Sequence, residues 1–150
     1  MDIYEFSLRE KFTVSQISKL LGDILDIPLE FIGSQTEYFS RCMQPDTLLM
    51  GIDIVYQATG YRTFINVVLT DDIDDQRFIE TSCLLASTLK TDVAIGDLSD
   101  TNGFPGIFIK IDSSLQIQRG YERYDDNGNF DLDLVAIPMS LNDYLLMLSS

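Results

Sequence analysis

Two alternating runs, Leu48 to Ala58 and Tyr61 to Thr70, flank Thr59-Gly60 and restrict the fold of this chain more than any other feature. In the first, Ile52, Ile54 and Tyr56 alternate with Asp53, Val55 and Gln57; in the second, Thr63, Ile65 and Val67 alternate with Arg62, Phe64 and Asn66. Successive side chains of a strand point to opposite faces, so a period of two on each side of a turn signal predicts an antiparallel hairpin. Apolar residues stand on both faces, which places the hairpin at the centre of a sheet.

The flanking segments add layers to it. Asp2 to Leu8 reads as a strand. Thr13 with Gln16 has capping-box spacing, and Val14, Ile17, Leu20, Leu21 and Ile24 follow with helical period, ending before Pro28. Leu29 to Met43, with Phe31, Tyr38 and Phe39, reads as one or two short strands. Asp71, Asp72, Asp74 and Asp75 precede an apolar stripe of Phe78, Ile79, Leu85, Ala86 and Leu89, which predicts a helix over about 74–90. Acids at its start complement the partial positive charge of a helix N-terminus.

Asp92 to Asp97 reads as a strand and residues 97–103 as a polar loop. Gly106 to Asp112, then Leu115 to Tyr121, then Phe130, Leu132 and Leu134 after the Asp125–Asn129 turn, read as a meander. Ser140 with Asp143 caps a short terminal helix carrying Leu141, Tyr144, Leu145 and Leu148. Tight turns between neighbouring strands favour antiparallel pairing. The expected fold is α+β, in the order β-α-β-β-β-α-β-β-β-β-α: a single layer of mostly antiparallel sheet with two main helices on one face and a short C-terminal helix. At 150 residues one domain is expected.

The charge is extreme, with 24 acids against 10 bases giving −14. Residues 1–70 hold nine acids and five bases, and residues 71–150 hold fifteen acids and five bases, so the excess lies late. Such a field repels nucleic acid and anionic membranes and attracts cationic partners. No apolar run reaches the roughly 18–20 residues that cross a bilayer, and Met1 to Glu5 lacks the features of a secretory signal. A cytoplasmic protein is expected, with Cys42 and Cys83 as free thiols.

Histidine is absent, which removes the commonest general base at neutral pH and the commonest zinc ligand. Phosphate-loop and dinucleotide glycine motifs are missing as well. Asp125-Asp126-Asn127-Gly128-Asn129 superficially resembles a calcium loop, but its glycine stands at the fourth position where the sixth is needed, and no Glu stands at the twelfth. The Asp97, Ser99, Thr101 run fails the same glycine requirement. No cofactor and no metal site is expected, and the acids at 71–75 are accounted for by helix capping.

The stretch from Gly60-Tyr61-Arg62-Thr63 through the acid-capped helix to Leu89-Lys90-Thr91-Asp92-Val93-Ala94-Ile95, then a polar loop and a strand pair, resembles the layout of some immunity proteins. These are small cytosolic antitoxins of contact-dependent growth inhibition and other polymorphic toxin systems. The resemblance implies a non-catalytic protein that binds and neutralises one cognate toxin domain, often a basic nuclease. Charge points the same way on its own, since a nuclease carries Lys and Arg around its cleft and an acidic inhibitor can occupy that field. The expected contact residues are Asp97, Asp100, Tyr121, Glu122, Tyr124, Asp125 and Asp126, two tyrosines set among acids of the late half. Competing readings are a general acidic adaptor or nucleic-acid mimic and, from another class, a metal-dependent carboxylate enzyme. Three or more carboxylates converging in a concave pocket would mark the enzyme, and acids and tyrosines spread over a convex patch the binder.

Overall fold

Nine strands form one mixed, mostly antiparallel sheet in the computed structural model, which describes residues 2–100 and 106–149. The strands are β1 (Ile3–Leu8), β2 (Ile32–Gly33), β3 (Met50–Tyr56), β4 (Thr63–Leu69), β5 (Val93–Gly96), β6 (Ile107–Ile111), β7 (Gln116–Tyr124), β8 (Phe130–Leu134) and β9 (Met139–Ser140). Their order across the sheet is β2-β3-β4-β1-β5-β6-β7-β8, with β9 paired to the start of β7. Among the described residues only the two-residue contact of β2 with β3 is parallel. The central hairpin pairs as its alternation predicts, with Ile54 opposite Ile65 and Ile52 opposite Val67.

Helices α1 (Val14–Leu25), α3 (Asp75–Leu89) and α4 (Leu141–Leu148) cover one face. Thr13 caps α1 through the reciprocal bonds its spacing predicts: its hydroxyl accepts from Gln16 N at 3.1 Å, and Gln16 Oε1 accepts from Thr13 N at 2.9 Å. Asp74 caps α3 by accepting from Arg77 N at 2.8 Å, and Ser140 caps α4 by accepting from Asp143 N at 3.1 Å. Asp72 serves another end, accepting from the backbone of Asp2 and the hydroxyl of Tyr4. The core beneath these helices joins Phe6 and Leu8 of β1, Ile65 and Val67 of β4, Ile79 and Leu85 of α3, and Ile109 and Ile111 of β6.

One expected element differs. The aromatic stretch 29–43, read as strand, folds as a short 3-10 turn (Leu29–Phe31), the two residues of β2, and helix α2 (Gln35–Ser40). Ser34 and Glu37 close a second capping box there, each accepting from the other's backbone N–H. Tyr38 of α2 packs with Leu48 and Val68 in a separate small cluster. Val68 lies opposite in parity to Ile65 and Val67, so α2 covers one end of the face that the other helices leave bare. No helix of the described residues is long and apolar enough to cross a membrane.

Candidate functional site

The face turned away from α1 and α3 is concave because β8 folds back onto the central hairpin. Phe130, the first residue of β8, donates its N–H to Gln57 Oε1 at 2.8 Å, and its carbonyl accepts from Gln57 Nε2 at 2.7 Å and from Tyr61 N at 3.1 Å. The Gln57 carboxamide thereby does the work of a strand backbone, offering one donor and one acceptor side by side. Gly60 sits against the joint at φ +70, where a Cβ would come within 2.2 Å of the Phe130 carbonyl oxygen. Arg9 Nη1 bridges to Asp131 Oδ1 at 3.0 Å, and its guanidinium carbon lies 4.1 Å from the Tyr61 ring centroid.

This curl encloses a cavity of about 520 Å³, within the usual size range of small-ligand sites. Its walls are aromatic: Phe64 from β4, Phe108 from β6, Phe130 from β8 and Tyr124 from β7. Phe130 stands 5.1 Å from Phe108 and 5.9 Å from Tyr124 between ring centroids, so these rings form one continuous wall. Two carboxylates, Glu5 of β1 and Glu122 of β7, reach the cavity, and no Lys or Arg stands among its lining residues. Gly96 of β5 also lines it, and a Cβ built there meets nothing within 4 Å. The missing side chain leaves the cavity open at that point.

Two tyrosines of the cavity differ in their surroundings. The Tyr124 hydroxyl donates to Glu122 Oε2 at 3.2 Å, and burial together with that carboxylate raises its pKa above the ordinary phenol value. Tyr61 is buried, and its hydroxyl has no hydrogen-bond partner among the described residues. Burial pushes the Tyr61 pKa well up. The Arg9 guanidinium lies over its ring, and its positive charge offsets part of that rise.

The expected contact residues separate into four places. Glu122 and Tyr124 line the cavity, and Asp125 and Asp126 follow directly in the exposed turn beyond it. Asp125 organises that turn, its Oδ1 accepting from the N–H groups of Asn127 and Asn129 and its Oδ2 from Asn129 Nδ2 and Thr59 Oγ1. Those bonds hold its carboxyl below the ordinary carboxylate range, the Asn129 side chain contributing most. Tyr121 shares the parity of Ile117 and Arg119, and so stands on the opposite side of β7, 52% exposed.

Asp97 corrects the expectation of a surface contact. Its side chain is 1% exposed and is held by Arg119 Nε at 2.6 Å, by the Ser99 hydroxyl at 2.7 Å and by the Tyr144 hydroxyl at 2.8 Å. Asp100 is half-exposed beside it, its N–H donating to the Asp97 carbonyl, and Thr101 onward in the expected loop lies outside the described residues. No group of three or more Asp, Glu, Cys or His placed to hold a metal ion occurs among the described residues. Sequence reasoning passed over Glu5, Phe64, Gly96, Phe108 and Phe130. Their common signal is off-parity placement: they fall on the strand faces opposite the main core.

Comparison of the chain with protein-family models, with curated proteins and with solved structures finds no match.

Proposed function

We propose that this chain is an immunity-type binding protein that neutralises a basic toxin domain, engaging it through the concave face and the acidic turn beside it. The observation that supports this reading is the join between cavity and turn along β7. An aromatic-walled cavity with two carboxylates and no lining cation runs through Tyr124 into the exposed Asp125 and Asp126. Aromatic groups in a depression with charges around them suit a protein interface, where a few anchors hold and a charged rim steers the encounter. Neither mark set out from the sequence is met in full: the acids and tyrosines line a concave face and not a convex patch, and the cavity lining holds two carboxylates, Glu5 and Glu122, where the reading as a metal-dependent carboxylate enzyme needs three.

The test is stopped-flow or surface-plasmon kinetics against the purified product of whichever toxin-like gene adjoins the one for this chain. Association is expected to slow steeply as salt rises, while dissociation changes less, because screening weakens long-range attraction first. Absence of binding, or binding indifferent to salt, would overturn the reading.

A further inference from the structure

We infer that the concave cavity is the seat of one arginine side chain projecting from the basic partner. This rests on the proposed binding role and adds to it the chemical group recognised. A guanidinium is planar, carries five donors in a fork, stacks on aromatic faces and is more weakly hydrated than an ammonium. The cavity offers what such a group needs: the rings of Phe64, Phe108, Phe130 and Tyr124, the carboxylates of Glu5 and Glu122, and no resident cation among its lining residues. Charge complementarity is therefore local as well as global, on a chain of net charge −14.

The molecule already holds one arginine by the same chemistry at the same aromatic cluster. Arg9 stacks on Tyr61 while bridging to Asp131, and the Tyr61 ring lies 5.6 Å from that of Phe130. The cavity has this ring-and-acid pairing without a guanidinium to fill it. Gly96 leaves room for the incoming group, since a side chain at that position would stand in the open space.

The experiment is an NMR titration of the full ¹⁵N-labelled chain with a capped Gly-Arg-Gly peptide and with its citrulline counterpart, which keeps the shape and loses the charge. Arginine peptide is expected to shift the amides of Gly96, Phe108, Glu122 and Tyr124, with citrulline at least about tenfold weaker, the effect of losing charge-assisted bonds. Gly96→Leu is expected to abolish the shifts, and Glu122→Gln, an exposed change that leaves the core alone, to weaken them about tenfold. Equal shifts with citrulline, or unchanged shifts in both variants, would overturn the arginine seat. Against the neighbouring toxin-like protein, Gly96→Leu is expected to speed dissociation at least about tenfold, as loss of an anchor does. If that protein binds Gly96→Leu and Glu122→Gln as tightly as the unaltered chain, the seat is refuted while the immunity reading stands. If it binds neither these nor the unaltered chain, the immunity reading fails, and the seat as stated fails with it even where the peptide binds.

Discussion

The Tyr144 hydroxyl donates a 2.8 Å hydrogen bond to Oδ1 of Asp97, joining the terminal helix to the end of β5 across 47 residues of chain. The same oxygen of Tyr144 accepts from the N–H groups of Leu98 and Ser99. One phenol thus satisfies a buried carboxylate and two backbone donors. Removing it by Tyr144→Phe takes the side-chain acceptor from the Leu98 N–H and one donor from Asp97, while the Ser99 N–H keeps its 3.0 Å bond to Asp97 Oδ1, and the expected cost is about 1–3 kcal/mol of unfolding free energy. Urea denaturation measures it, and an unchanged midpoint would show that water replaces the phenol at no loss.

Asp97 also makes stability depend on acid. Burial works against its charge, but the bonds from Ser99, Tyr144 and Arg119 together outweigh burial and set its pKa below the ordinary 3.8. A carboxyl with a depressed folded-state pKa stabilises above its unfolded value, and that contribution is lost as pH falls through the folded value. The stability gap between the unaltered chain and Asp97→Asn is therefore expected to be full at neutral pH and to close below about pH 4. Melts across pH 2 to 7, run on both proteins, check the sign.

The two thiols are expected to separate cleanly. Cys42 is exposed, whereas Cys83 is buried in α3, and burial, reinforced by the Glu80 charge, pushes its pKa up to about 11. Thiolates react and thiols do not, so a disulfide reagent at neutral pH is expected to modify Cys42 rapidly and Cys83 only on unfolding. Counting released chromophore in native buffer and in guanidinium gives the answer directly.

Ile65 of the hairpin and Leu85 of α3 are both fully buried in the main core. Either one changed to Ala is expected to cost about 2–5 kcal/mol, the range for large-to-small core substitutions. Near-neutral midpoints at both positions would contradict the core assignment.

The acidic turn is expected to ignore calcium. Asp125 already accepts four hydrogen bonds from its own turn and from Thr59, which occupy the lone pairs a cation would need. Melting in EDTA and then in millimolar Ca²⁺ is expected to give the same midpoint, whereas a specific site would raise it by mass action.

Local chemistry was enough to reveal much of this fold from sequence. The hairpin carries a period of two around a turn signal, and α1, α3 and α4 each carry a helical period and a cap; each appears where those signals fall. Helix α2 carried the same kind of signal in Ser34 and Glu37, but Tyr38 and Phe39 drew the reading toward strand because aromatic residues favour sheets. The cavity was not legible, because it depends on Gln57 meeting Phe130, 73 residues away. Asp97 was misplaced for the same reason: its polar neighbours suggest a surface loop, and the phenol that draws it inward lies in the last helix.

The clasp of Gln57 on Phe130 has a further effect, on how the protein behaves at high concentration. Open sheet edges recruit strands from other copies, and proteins suppress this by covering, shortening or charging them. Here one end of the sheet is the two-residue β2. At the other, β8 has its first residue bound back to the hairpin and carries Asp131 and Asp133, both bridged to Arg123. The β8 charges are already paired with Arg9 and Arg123, so what guards this edge is the clasp on its first residue, and the net charge of −14 on every copy adds a general repulsion that disfavours edge-to-edge polymerisation.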